Sequence, residues 1–149
     1  MRAGDLAQPY PSVSADDDAL TAARQLVRER LPALLVLDPE GRPYAIVPGS
    51  QLLRALLPDY VVGPALASDM TAGDIDLPRA LHGLTVAEWL PRHFVPPAVG
   101  PDTSPVQVAA LMARTHSPLV AIVVAEGRDV RLLGAITAAG LMHHFLGGP

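Results

Sequence analysis

The feature that most constrains the fold of this chain is an internal repeat. Residues 11–42 align with residues 97–128 at a constant offset of 86, and nine of the 32 aligned positions are identical, including Pro32 with Pro118. After the Glu-Gly-Arg sequence that both copies share, the second copy gains three residues and the alignment resumes at an offset of 89. A unit of this length buries too little apolar surface to be stable alone. We therefore expect two units that share a core.

Each copy predicts the same order of elements: a short strand, a helix, two strands and a second helix. Asp16–Asp18 are N-cap candidates for the first helix of copy one, and Ser104 with Pro105 begins the equivalent helix of copy two. The following strands, "ALLVL" and "LVAIVV", are apolar on both faces, as in a sheet that is covered on both sides. The second helices are expected at residues 51–57 and 138–146.

This pattern predicts an α+β fold in which two β-α-β-β-α repeats pack sheet to sheet around a cleft. The first repeat is expected to span residues 3–57, and the second residues 86–146. Residues 58–85 are rich in Pro and Asp and are expected to form a linker with short helices.

Composition excludes several classes of function. A net charge of −4 and the absence of Cys argue against a nucleic-acid surface, disulfides and thiolate metal sites. The longest apolar run, residues 118–125, is far shorter than the roughly 20 residues of a membrane span, so direct membrane insertion is not expected. The first residues lack the apolar core of a signal peptide, which predicts a cytoplasmic protein. Every basic residue is Arg, and with abundant Ala, Pro and Gly this indicates a bacterial origin.

No residue set supports catalysis, so the chain is not expected to be an enzyme. The sequence contains no P-loop and no nucleophile–base pair. His143 and His144 are adjacent on a predicted helix and diverge by about 100°, so they cannot form a metal pair. No metal and no required cofactor are predicted. Trp89 and Phe94 are expected to pack in the core or in a dimer contact.

The layout resembles the tandem pair of CBS domains, or Bateman module, of a bacterial stand-alone type. The segments "AGDLAQPYPSV" and "TVAEWLPRHFVPPAV" resemble the lead-in of each CBS repeat, and "RERLPALLVLDPEGRPYAIV" and "HSPLVAIVVAEGRDVRLLGAIT" resemble its middle. The resemblance implies a regulatory module that binds AMP, ADP, ATP or S-adenosylmethionine in the cleft between the repeats. It also implies a disc-like homodimer.

The ligand signature of that family is Gly, two apolar residues, Ser or Thr, two further residues and Asp. In copy two it falls on Gly134, Ala135, Ile136 and Thr137, but Gly140 stands where the ribose-binding Asp is expected. In copy one Ala45 replaces the Gly, Pro48 the hydroxyl residue and Gln51 the Asp.

Loss of the acid has a calculable consequence. A carboxylate that accepts two hydroxyls makes two charge-assisted hydrogen bonds of about 1.5–3 kcal/mol each. Their absence lowers affinity by about a hundredfold or more. Gln51 offers a neutral acceptor instead.

Several candidate residues have a structural alternative. Thr137 caps its helix, either alone or while it also contacts a ligand, and Ser50 has the same two interpretations. Arg30 and His116 hold equivalent positions two residues before Pro32 and Pro118, where they meet either a phosphate or solvent.

Two hypotheses follow. In the first, the module binds an adenine nucleotide weakly or in one site, with copy two as the better site through Thr137, Gly134, Ala135 and residues 116–119. In the second, a degenerate pair binds no nucleotide and serves as a dimerisation or interaction subunit of a separate transporter or enzyme. The candidate ligand-binding residues are Thr137, Gly134, Ala135, Ile136, His116, Ser117, Pro118, Leu119, Gln51 and Arg30.

Overall fold

The computed structural model describes residues 1–57, 75–90 and 95–147. The greater part of the predicted linker and Phe94 lie outside these residues. The described helices and strands follow in chain order. They are α1 (Ala3–Leu6), β1 (Ser12–Ser14), α2 (Ala19–Arg28), β2 (Ala33–Leu37), β3 (Pro43–Pro48), α3 (Gly49–Arg54), α4 (Leu77–Leu81), α5 (Val86–Trp89), β4 (Ala98–Val99), α6 (Pro105–Thr115), β5 (Leu119–Glu126), β6 (Asp129–Thr137) and α7 (Ala138–Phe145).

The strands form two three-stranded sheets of identical topology, which confirms the predicted α+β duplication. The orders are β1-β2-β3 and β4-β5-β6. In each sheet the first pair is parallel and the second antiparallel. The antiparallel register shifts at the same repeat position in both sheets, after Val36 and after Ile122, where the edge strands β3 and β6 each carry one extra residue. The offset of 86, followed by 89, therefore holds in three dimensions.

Hydrogen bonds at the helix starts confirm two of the predicted N-caps. The Asp18 carboxylate accepts the backbone N–H of Thr21 at 3.0 Å, and Ser104 caps α6 by accepting from Gln107. In both cases a side-chain oxygen serves an N–H group that has no partner within the helix.

The second helix of copy one differs from its prediction. It spans Gly49–Arg54 rather than residues 51–57, and its N-cap is Pro48, so the cap interpretation of Ser50 is wrong. The N–H of Gly49 donates to the carbonyl of Pro32, as the N–H of the first α7 residue donates to Pro118. This tertiary hydrogen bond starts the helix two residues earlier than the local sequence suggests.

The core has three parts. One cluster fills the space between the sheets, where Ala33, Leu35 and Ile46 meet residues of β5 and β6. The other faces of the sheets pack against helices, and Trp89 lies in the cluster of the first sheet. Alternate residues of the central strands therefore serve the shared core and the helix-facing cores, as expected for strands buried on both faces.

The lead-in helices exchange places between the repeats. The N–H of Ala3 in α1 donates to Thr103 of the second repeat at 2.8 Å, and the N–H of Val86 in α5 donates to Asp17 of the first repeat at the same distance. Ala3 is fully buried in the core of the second sheet. Each packing unit thus contains a helix from the other repeat, and the packing units differ from the linear repeat boundaries.

Candidate ligand site

Two cavities lie between elements of the two repeats. The first, here the Gln51 cavity, has a volume of about 410 Å³ and is lined by Pro48, Gln51, Val95, Pro97, Thr115, His116 and Ser117. The second, here the Thr137 cavity, has a volume of about 380 Å³ and is lined by Met1, Asp5, Leu6, Gln8, Pro9, Tyr10, Ala135, Ile136, Thr137, Gly140, His143 and His144.

Each cavity is built crosswise. The strand end and helix start of one repeat form one wall, and the lead-in of the other repeat forms the opposite wall. This arrangement follows from the exchange of the lead-ins, which brings residues 8–10 onto β6 and residues 95–97 towards α3.

The structure distributes the candidate residues over the two cavities. Thr137 and residues 116–119 are predicted to share one site. In the structure Thr137, Ala135 and Ile136 line one cavity, whereas His116 and Ser117 line the other. Gln51 joins His116.

Four candidates fall outside the described linings of both cavities: Gly134, Pro118, Leu119 and Arg30. Leu119 is fully buried in the core between the sheets. The carbonyl of Pro118 accepts the N–H of Ala138 at 2.8 Å, so it positions α7.

Thr137 caps α7. Its hydroxyl accepts the backbone N–H of Gly140 at 2.9 Å. Gly140 therefore contributes its amide to the cap at the position where the family signature carries an acid. The cap is confirmed, and contact of Thr137 with a ligand remains a prediction.

Gly134 is explained by a close backbone approach. A Cβ atom at this position would lie 2.7 Å from the carbonyl oxygen of Gln8. Next to it, Gln8 and Ala135 exchange two backbone hydrogen bonds of 3.0 and 2.9 Å. Glycine allows the lead-in of the first repeat to reach β6 and form a wall of the Thr137 cavity.

Arg30 and His116 share an unusual backbone conformation. Both have a φ of 52° at equivalent positions of the two repeats, Arg30 two residues after the end of α2 and His116 one residue after the end of α6. A non-glycine residue rarely adopts this left-handed region. His116 adopts the left-handed conformation directly after the end of α6, where it lines the Gln51 cavity.

Tyr10 was not among the predicted site residues. Its hydroxyl donates to the carbonyl of Ala33 and accepts the N–H of Ala33 at 3.4 Å. In the second repeat the hydroxyl of Ser117 makes the same pair of contacts with Leu119, at 2.7 and 3.3 Å. Ala33 and Leu119 are the first residues of β2 and β5. A lone aromatic residue between two prolines gave no signal for this role.

The two cavities differ in their ionisable groups. Asp5 contributes a carboxylate to the Thr137 cavity, beside His143 and His144, whereas the described lining of the Gln51 cavity contains no acidic residue. Burial raises the pKa of the Tyr10 phenol above its usual value, which keeps it protonated as a donor. Among the described residues, no group of three His, Cys, Asp or Glu side chains could hold a metal ion, and no helix is long and apolar enough to span a membrane.

Solved structures with the same fold span almost the whole chain. A crystal structure of a CBS domain-containing protein of unknown function from Kribbella flavida is 34% identical, has a TM-score of 0.77, and the match covers 98% of this chain and 99% of that chain. The structure of CBSX2 in complex with AMP is 21% identical, with a TM-score of 0.69 and coverage of 98% and 96%. The CBS domain of a bacterial CNNM/CorC family Mg²⁺ transporter in complex with ATP is 11% identical, with a TM-score of 0.66 and coverage of 100% and 89%.

A search of curated proteins found no significant match. The family model of the CBS domain matches residues 3–58 and 90–147, so both copies are recognised and together account for most of the chain. The chain belongs to the CBS-domain family and contains a tandem pair of its repeats.

Proposed function

We propose that this protein is a regulatory module that binds an adenine nucleotide or a related adenosyl ligand between its repeats, weakly or in one site. The observation that carries the proposal is the pair of crosswise cavities. Volumes of about 410 and 380 Å³ fall in the range of about 300–1,000 Å³ that small-molecule sites occupy. The fold-level similarity to structures solved with AMP and with ATP adds support.

Affinity is expected to be low because neither repeat carries the ribose-binding acid. Gln51 and Gly140 stand at those positions. With a loss of about a hundredfold or more, a micromolar site becomes submillimolar to millimolar. We propose a cytoplasmic location in a bacterium, where adenine nucleotides are abundant enough to occupy such a site. No catalytic role is proposed, because the matched family is generally regulatory.

The test is isothermal titration calorimetry with AMP, ADP, ATP and S-adenosylmethionine, each taken to millimolar concentration. Heat of binding from at least one of them is expected. Absence of heat with all four refutes the proposal.

A matched pair of variants then examines the contacts. His116→Gly removes a side chain of the Gln51 cavity, and Arg30→Gly removes its counterpart at the equivalent position. Glycine accepts a φ of 52° at both sites, so neither change strains the backbone. Weaker binding in H116G alone supports ligand contact by His116, whereas weaker binding in R30G assigns Arg30 to the site.

The missing acids favour a second candidate function, in which the pair binds no nucleotide and serves as an interaction subunit of a separate transporter or enzyme. Purification of partners from the source cells, with and without nucleotide, separates the two functions. A stable partner complex that ignores nucleotide, together with silent calorimetry, supports the second.

In either case we propose a homodimer formed through α3 and α7. Leu53 and Met142 occupy equivalent positions on these helices and are 57% and 59% exposed, and Phe145 and Leu146 extend the apolar surface. Light scattering on the Leu53→Arg/Met142→Arg double variant is expected to show a monomer where the wild type is a dimer. A monomeric wild type contradicts this assembly.

A further inference from the structure

We propose that Tyr10 closes the Thr137 cavity to a planar base, which leaves the Gln51 cavity as the ligand site of the module. This inference rests on the proposed function, because it assigns the ligand to one of the two cavities. The two cavities thus differ in whether they can admit a ligand, a difference that the duplicated topology alone does not predict.

The first step is the direction of the backbone groups at the opening of β2. In a strand, the N–H and C=O groups of alternate residues point to the same side. Leu37 directs its carbonyl towards the first strand, because it accepts the N–H of Ala15 at 2.9 Å. Ala33, four residues earlier, therefore directs its N–H and C=O to that side too, but β1 pairs with β2 only from Ser12 with Leu35 onwards.

The second step is the occupant of this open edge. The Tyr10 hydroxyl donates to the carbonyl of Ala33 and accepts its N–H, so one side chain satisfies both groups. The phenol reaches them from the lead-in wall of the Thr137 cavity. A six-membered ring with one donor and one acceptor in this position occupies the place that a base with an adjacent amino group and ring nitrogen would need.

The third step is the comparison with the second repeat. At offset 86 the position of Tyr10 is held by Pro96, which has no hydroxyl. The equivalent backbone groups of Leu119 are served by Ser117, a small residue two positions away in the same chain segment. A serine hydroxyl frees both groups by rotating about a single bond, whereas the phenol of Tyr10 must move as a whole ring.

Ring occupancy therefore directs a nucleotide to the Gln51 cavity. Formal charge does not separate the two cavities, because Asp5 shares the lining of the Thr137 cavity with His143 and His144, and the described lining of the Gln51 cavity offers His116.

The test uses calorimetry with AMP on the wild type, Tyr10→Ala, Tyr10→Phe and Tyr44→Phe. Tyr44 is an exposed tyrosine of β3 and serves as the control. The wild type and Y44F are expected to bind one AMP per chain, and Y10A to bind a second. Y10F loses the two hydrogen bonds that anchor the ring on Ala33, so a base can displace the ring, and a second site weaker than that of Y10A is expected to appear.

Photolabelling with 8-azido-AMP and peptide mapping locates the bound nucleotide. Labels near residues 95–117 in the wild type, with new labels near residues 8–10 or 135–144 in Y10A, support the assignment. Equal stoichiometry, affinity and labelling in the wild type, Y10F and Y10A overturn the role of Tyr10 but leave the proposed function intact. Silence of the wild type and of both Tyr10 variants with every ligand overturns both.

Y10F guards against loss of folding in Y10A, because its apolar ring still packs in the free protein but is no longer anchored against displacement by a base. Circular dichroism of each variant shows whether the fold is retained. If Y10A unfolds, the comparison of Y10F with Y44F decides the question: a second site in Y10F supports the proposal, and identical binding in the two variants overturns it.

Discussion

Replacement of Gly134 by Ala tests whether the lead-in of the first repeat is held on β6 by close backbone contact. The new Cβ atom would lie 2.7 Å from the carbonyl oxygen of Gln8, and ordinary contact begins at 3.4 Å. Gln8 must therefore move away by about 0.7 Å. Its two hydrogen bonds with Ala135 are already 3.0 and 2.9 Å long, and such a shift takes them beyond the useful range.

The magnitude follows from what the shift removes. Two backbone hydrogen bonds contribute about 1 kcal/mol each. Partial exposure of the apolar residues of α1, including the fully buried Ala3, adds about 1–2 kcal/mol. G134A is therefore expected to lower the free energy of unfolding by about 2–4 kcal/mol.

Urea unfolding followed by circular dichroism measures this value, and Gly100→Ala is the matched control. Gly100 has no atom within 4 Å of an added Cβ and no positive φ, so G100A is expected to change stability by less than about 0.5 kcal/mol. Equal stability of G134A and G100A would refute the reasoning. It would also return Gly134 to consideration as a residue selected for ligand contact rather than for backbone approach.

Three further predictions concern the core, the cap and pH. Leu35→Ala in the core between the sheets is expected to lower the free energy of unfolding by about 2–5 kcal/mol. Circular dichroism and Trp89 fluorescence should report one common unfolding transition, and two separate transitions would show that the repeats do not share a core. Thr137→Ala is expected to cost about 1 kcal/mol in urea unfolding while Thr137→Ser restores the cap, and equal loss in both variants would contradict a capping role. Hydrogen bonds from threonine residues hold the pKa values of Asp18 and Glu88 below their usual range. The stability that these two carboxylates contribute is therefore fully present above their unfolded-state pKa values, near pH 4–5. It is lost as pH falls through their lower folded-state pKa values. The thermal midpoint of an Asp18→Asn/Glu88→Gln variant should accordingly fall less than that of the wild type between pH 6 and pH 3.

The repeat made most of the fold predictable. An alignment with two offsets placed every strand and the main helices, because the spacing of apolar residues and the local N-cap residues act over a few positions. Asp18, Ser104 and Pro105 are such local signals. The start of α3 was not predictable from them, because a hydrogen bond from Gly49 to the distant Pro32 decides it.

The candidate site was predictable only in part. The motif placed Thr137 at a helix start, as the structure does. The motif did not show that residues 116–117 lie in the other cavity. That separation arises because each lead-in packs on the other repeat, and no periodicity within a single repeat encodes such a contact. Tyr10 was missed for a different reason: its partner Ala33 lies in the same repeat but 23 positions away, and it is contacted through backbone groups that every residue type possesses.

The exchange of the lead-ins also sets the order in which the chain can become native during synthesis. The ribosome makes Gln8 more than a hundred residues before its partner Ala135. The first sheet likewise lacks α5 until translation has passed Trp89. The lead-in of the first repeat is thus among the last segments to be fixed, and the growing chain exposes it unpaired until Ala135 has been made. A nascent chain released before residue 135 should therefore keep its first repeat sensitive to proteolysis, even though the strands of that repeat are complete.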